Sequence, residues 1–188
     1  MRIALFGGTF DPIHNAHLSI AREAVGQFAL DRVWFIPASR PPHKSGVTCT
    51  PYEHRYRMVE LACEADPRFQ ASRLEAGGQN SYSIETIERV RASLGGGEQL
   101  YFLIGADAFA EIRTWHRWRE VIASVEFIVV SRPGRAYLEP EGARVHRLEG
   151  MDLPVSSSEI RRKLAAGDDR VEVPPAVLAY IREHGLYR

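Results

Sequence analysis

Four short runs dominated by apolar residues recur along the chain: RIALF (2–6), RVWFIP (32–37), LYFLIG (100–105) and VEFIVVS (125–131). They are too short for helices, and LYFLIG and VEFIVVS lack the alternation of a strand with one wet face, so they read as strands buried on both sides. Helical patterns separate them. From His14 to Ala29, the residues Leu18, Ala21, Val25 and Phe28 share one helical face. A Pro-rich loop, PASRPPHKSGVTCTP (37–51), follows the second run. Thr50 as cap, Pro51 and Glu53 then mark a helix start, and the helix, carrying Tyr56, Val59, Leu61 and Ala62, stops before Pro67. Residues 69–73 read as a strand and 83–94 as a helix stopped at Gly95. A short helix, an aromatic turn at TWHRW (114–118) and another helix lead to the fourth run, and 143–148 reads as a last strand. Ser156 and Glu159 form a capping box for a helix ending at Gly167; Pro174 and Pro175 open a final helix closed by Gly185. Alternation of this kind predicts one α/β domain over 1–188, with a doubly wound, Rossmann-like parallel sheet, helices on both faces and a helical C-terminal part over about 156–188. Ligands of such folds sit at the carboxyl ends of the strands, in the loops after residues 6, 37, 105 and 131.

Composition narrows the function. Formal net charge is zero, which argues against a nucleic-acid partner, since phosphate binding calls for a basic excess. Only Lys44 and Lys163 are lysines; the other cations are arginines, most of them expected on solvated faces. No apolar stretch is long enough to span a bilayer and none resembles a secretory leader, so no membrane partner and a cytoplasmic setting are expected. Cys49 and Cys63 form no disulfide framework, and Cys63 reads as a small core residue.

The loop after the first run, GGTFDPIHNAHL (7–18), carries the most chemistry. Gly7 and Gly8 let backbone amides approach a ligand, and the helix start beyond them favours an anion, phosphate being the natural guest. The spelling is neither G-x-G-x-x-G nor a P-loop. His14 and His17, three apart, share one side of the first helical turn and can donate to phosphate oxygens. Two alternatives stand beside this: one histidine capping the loop and the other in the core, or a metal site. H-x-x-H lacks the glutamate and the spacing of a zinc helix, and no third ligand lies nearby, so no metal-ligating set is assigned.

This stretch resembles the G-x-F-D-P-x-H-x-G-H signature of the nucleotidyltransferase superfamily, and VSSSEIR (155–161) resembles its second signature, I-S-S-T-x-I-R. The two are independent, so their joint occurrence is strong. Further segments resemble bacterial nicotinate-mononucleotide adenylyltransferases nearly end to end and in order: RPPHK (40–44), SYSIETI (81–87), IGADAF (104–109), TWHRW, VSRPG (130–134) and VLAYIREHGLYR (177–188). Phosphopantetheine adenylyltransferase, which shares the nucleotide signatures, lacks several of these segments. Ala16 stands where the family usually has glycine, Ser158 replaces threonine and Val155 replaces isoleucine.

The resemblance implies transfer of an adenylyl group from ATP to nicotinate mononucleotide, releasing pyrophosphate, in NAD biosynthesis. It implies Mg²⁺ carried by the ATP phosphates. His14, His17, Lys44 (with His43 beside it) and Arg161 would be catalytic. Gly8, Thr9, Phe10, His17, Gly105, Asp107, Arg132, Ser156, Ser157 and Arg161 would bind ATP. Thr9, Lys44, Tyr82, Ser83 and Trp115 would bind the mononucleotide, Trp115 by stacking and residues 82–83 through amides that favour a carboxylate. Asp107 also reads as a helix cap, Arg132 as a turn residue, and Trp118 as core. Arg161 is expected on the first turn of its helix, a poor place for a cation unless a phosphate compensates. The 37–51 loop is expected to be mobile. Rival readings are another acceptor for the same chemistry, or a nucleotide sensor without turnover. Oligomeric state is not legible.

Overall fold

The computed structural model describes residues 1–40, 49–78, 80–134 and 136–188. Six strands, β1 (Arg2–Gly8), β2 (Arg32–Pro37), β3 (Phe69–Ala71), β4 (Gln99–Gly105), β5 (Glu126–Val130) and β6 (Arg144–Leu148), form one sheet in the order β3-β2-β1-β4-β5-β6. All five pairings are parallel. The helices are α1 (Asn15–Phe28), α2 (Tyr52–Cys63), α3 (Ser83–Ser93), α4 (Ala106–Ala110), α5 (Trp118–Ser124), α6 (Ser157–Ala165) and α7 (Pro175–Glu183), with a 3-10 turn at Ile112–Thr114.

The apolar runs are continuous because both faces of the sheet are covered. Side chains alternate along a strand. Ala4 and Phe6 of β1, Val33 and Phe35 of β2, and Tyr101 and Leu103 of β4 join one core with α1, α2, α6 and α7. Ile3, Leu5, Ile36, Phe102 and Ile104 point the other way, into a second core with α3, α4 and α5. The predicted doubly wound architecture is therefore the observed one. Cys63 is a buried free thiol, and burial pushes its pKa up to about 12.

Departures from the predicted boundaries and caps have identifiable causes. β1 runs two residues past the predicted end, because Gly7 and Gly8 keep their register with Ile36 and Pro37. β3 stops at Ala71, although the Ser72 amide still donates to the Phe35 carbonyl at 2.9 Å. Thr50 is not the cap of α2. Pro51 holds that position, and the Thr50 amide instead donates to Asp11 Oδ2 at 3.1 Å. Ser156 does cap α6, its Oγ accepting from the Glu159 amide at 3.2 Å. The chain end folds back at Tyr187, whose hydroxyl donates to Asp11 Oδ1.

Phe35 is fully buried, with Phe6 and Phe69 ring centroids 5.3 Å away and Phe10 at 5.9 Å. Phe35→Ala is expected to lower the unfolding free energy by about 3–5 kcal/mol in urea titration.

Candidate active site

Strand order reverses between β1 and β4, and the crevice opens at their carboxyl ends. Two cavities meet there, sharing Phe6 and Gly105 in their walls. The first, of about 370 Å³, includes His14, Ala16, His17, Asp107, Arg132, Ser156 and Ser157. The second, of about 310 Å³, includes Gly8, Tyr82, Ser83, Phe102, Trp115 and His116.

His14 is the N-cap of α1, in extended conformation, and His17 is the third residue of the helix. Their rings stack with centroids 3.7 Å apart. The His14 amide donates to His17 Nδ1 at 3.1 Å, so a neutral His17 carries its proton on Nε2. Burial depresses the basicity of both. The His14 pKa falls to about 4, and His17 is held well below its ordinary value by burial and then by repulsion from His14. His14 Nδ1 is buried with no hydrogen-bond partner. The pair is thus neutral and under-satisfied at the N-terminus of a long helix, beside the first cavity.

The rest of the loop is built to hold that pair. Phe10 has φ 50°, and its ring lies edge-on to His17 at 5.0 Å. A Cβ on Gly8 would stand 3.0 Å from the Phe10 ring, so a side chain there would need that ring to shift. The Phe10 side chain is therefore core, and only its backbone can serve a ligand. Ala16 is helical and lines the first cavity, where its methyl costs no backbone strain.

The second signature meets the first directly. Ser157 Oγ donates to the Pro12 carbonyl at 2.9 Å, and Arg161 Nη1 to the Asp11 carbonyl at 2.8 Å. Arg161 lies in the second turn of α6, not the first, where the dipole opposes a cation less. The structure gives Ser157 and Arg161 a clamping role that the sequence reading did not include.

Asp107 is the second residue of α4, and Gly105 rather than Asp107 is the N-cap. Asp107 and Arg132 both border the first cavity. In the second, the Trp115 ring stands edge-on to Phe102 at 5.8 Å, leaving a flat aromatic wall, while the Tyr82 ring tilts against His116 at 4.7 Å. Tyr82 caps α3 and Ser83 is its first residue, so free amides of that helix begin at this wall. Trp118 packs half-buried against the second core, as expected. Lys44 and His43, with most of the Pro-rich loop, lie outside the described residues.

Two further residues hold the site. Arg55 is 1% exposed. Its Nη1 donates to the carbonyls of Thr9 (2.9 Å) and Ala38 (2.7 Å), its Nε to Thr50 (2.8 Å) and its Nη2 to Ser39 (3.3 Å). One guanidinium thus binds together the loops after β1 and β2 and the approach to α2. The available signal was an arginine on the same helical face as Met58, Val59 and Ala62, the buried side of α2. Asp11 is the second. Burial pushes its carboxyl up, but hydrogen bonds from Thr50 and Tyr187 outweigh that and hold it below the usual value.

Comparison with known proteins agrees with this geometry. Residues 5–163 match the cytidylyltransferase-like family model. A Solibacter usitatus protein named "Probable nicotinate-nucleotide adenylyltransferase" is 63% identical, covering all of both chains. The chain belongs to the nicotinate-nucleotide adenylyltransferase family. A Thermus thermophilus member of the same name is 44% identical, again over all of both chains. Among solved structures, the Plasmodium falciparum nicotinic acid mononucleotide adenylyltransferase complexed with NaAD shares the fold, with a TM-score of 0.81 at 20% identity, covering 99% of this chain and 97% of that one.

Two predictions follow from the geometry. Arg55→Lys keeps the charge but loses the fork, leaving buried carbonyls unbound; urea titration should show a loss of about 1–3 kcal/mol. The depressed histidines make the free protein acid-sensitive. Unfolded histidines protonate below about 6.5, whereas the folded pair resists until about pH 4 or lower, so stability should fall as pH drops through that window. A His14→Asn/His17→Asn double variant should flatten this part of a melting-temperature profile.

Proposed function

We propose that the protein transfers the adenylyl group of ATP to nicotinate mononucleotide, giving nicotinate adenine dinucleotide and pyrophosphate. Its family consists of nucleotidyltransferases of NAD synthesis, and the observation that carries the site reading is the pair of cavities meeting at Phe6 and Gly105. One suits a nucleotide's phosphates and ribose, the other a flat base, and the reacting phosphates would meet beside the two histidines.

An oxygen of the mononucleotide's 5′-phosphate attacks the α-phosphorus of ATP; the bond from that phosphorus to the bridging oxygen breaks, and its electron pair leaves with pyrophosphate. The nucleophile is already anionic at neutral pH, so no general base is needed. The residues align two anions and stabilise charge on the transferring group. His17 would donate from Nε2, with His14 beside it; polyphosphate binding would draw a proton onto this depressed pair. Amides of Gly8, Thr9 and Phe10 and the start of α1 would approach the phosphates closely. Ser156 and Ser157 would meet the triphosphate with Arg161 behind them, and Arg132 from the opposite rim. Asp107, with Gly105, would accept from ribose hydroxyls. Trp115 would stack on the pyridine, and the Tyr82–Ser83 amides would receive the carboxylate. Lys44 would reach the phosphates of both substrates. Mg²⁺ would enter bound to the ATP phosphates.

The test is pyrophosphate release from Mg-ATP with nicotinate mononucleotide, nicotinamide mononucleotide or phosphopantetheine. The nicotinate form should be strongly preferred, and His17→Ala should cost about 10²–10³ in kcat while ATP still binds. ATP binding without release, with every acceptor, would instead mark a sensor.

A further inference from the structure

Glu75 is a half-buried carboxyl that none of the roles above employs. It forms part of the wall of the second cavity, the one that contains Tyr82, Ser83 and Trp115, and on its other side it borders a smaller cavity of about 180 Å³. Thr86 Oγ1 donates to its Oε1 at 2.6 Å, and the Ser81 side chain bonds it as well. Thr86 Oγ1 also lies 3.3 Å from the Tyr82 carbonyl. The carboxyl is therefore fastened to both ends of the turn, 81–86, that presents the first amides of α3.

The charged groups around it leave it without a bonded cation among the described residues. Arg89 of α3 is nearest in charge, but its Nη1 is committed to the Leu74 carbonyl at 2.8 Å and its Nη2 lies 3.8 Å from Glu85 Oε2. Glu85 adds a like charge from the same helix, which the attraction of Arg89 outweighs, so burial is the main cause that raises the carboxyl. Tyr82 and His116 face the cavity itself, and Arg40 reaches the neighbourhood through its bridge to Asn80. Burial raises the Glu75 carboxyl above the usual carboxylate range.

The nicotinate carboxylate, placed at the Tyr82–Ser83 amides as proposed above, would share this cavity with Glu75. Two carboxylates in one poorly solvated space cannot both ionise cheaply. Nicotinamide brings no such charge. We infer that Glu75 takes up a proton when the acid form of the mononucleotide binds, and that this makes the choice between acid and amide depend on pH. The inference rests on the placement of the nicotinate ring in the second cavity.

The linkage has a definite sign. Below the free carboxyl's own pKa, Glu75 is already protonated and the acid form binds at full strength. Above it, each acid molecule bound must bring in a proton, so affinity for the acid falls by close to tenfold per pH unit, until pH passes the raised value in the complex. The ratio of KM for nicotinate to KM for nicotinamide mononucleotide isolates the effect. Both carry the same 5′-phosphate and meet the same ATP and histidines, so those titrations cancel.

The experiment measures that ratio from about pH 5 to 9 for the wild type and Glu75→Gln, with calorimetry of each mononucleotide binding to the wild type in two buffers of different ionisation enthalpy. The inference expects a ratio that rises with pH in the wild type and is flat in Glu75→Gln. It also expects uptake approaching one proton for the acid form and none for the amide. A flat wild-type ratio, or a slope that survives in Glu75→Gln, overturns it. The calorimetry needs no variant, so an unstable Glu75→Gln still leaves a decision: equal proton uptake for the two mononucleotides overturns the inference. Failure of the wild type to turn over either mononucleotide overturns the functional reading instead, and this inference with it.

Discussion

The crevice exists because β1 lies between β2 and β4. The chain leaving β1 enters α1 and packs on one face of the sheet, while the chain leaving β4 enters α4 and packs on the other. Two adjacent strands that send their successors to opposite faces cannot close the gap above them. The loops after β1 and β4 therefore line an opening from its two sides, and Phe6 and Gly105, the residues near those strand ends, become the partition between the cavities. Parallel pairing sets where the ligands go before any polar residue is chosen.

What the crossover leaves open, two buried charges then fix. Arg55 takes four backbone carbonyls from three loop segments, and Asp11 takes an amide from one of the same segments and a hydroxyl from the chain end. Loops at a cavity mouth cannot satisfy their own backbone groups by ladder pairing, and unsatisfied buried groups are costly. A long forked donor and a short double acceptor solve this from opposite signs. Ser157 and Arg161 act on the same loop from α6, so the second signature shapes the first even with no phosphate between them.

These differences in physical scale explain what was legible in the sequence. The strand runs and both nucleotide signatures are local patterns, with their meaning in residue type and spacing. The caps were legible only where the residue's own helix decides the matter: Ser156 caps α6, but Thr50 does not cap α2, its amide and its side chain both being held by Asp11, far away in the chain. Asp107 loses its cap role to Gly105, which stands in extended conformation at the end of β4. Arg55 could be suspected from its place on an apolar helix face, yet its four partners come from segments that only the tertiary fold brings together. Phe10 was read correctly as part of the loop, but its ring belongs to the core, a distinction that turns on a positive φ which spelling does not encode.

Burial holds the two histidines at the mouth of the crevice neutral. A fixed positive charge at the histidines would bind phosphate strongly in both ground and transition states, which lowers KM without speeding the chemical step. A stacked, desolvated and neutral imidazole pair does otherwise. Its basicity would rise as negative charge accumulates beside it, so in the proposed reaction its hydrogen bonds would strengthen most when the transferring adenylyl group and departing pyrophosphate carry the most charge. The amide that donates to His17 Nδ1 leaves Nε2 as the donor of the neutral ring. Burial of the pair, costly in the free protein at acid pH, is therefore the same feature that would make it responsive to the proposed reaction.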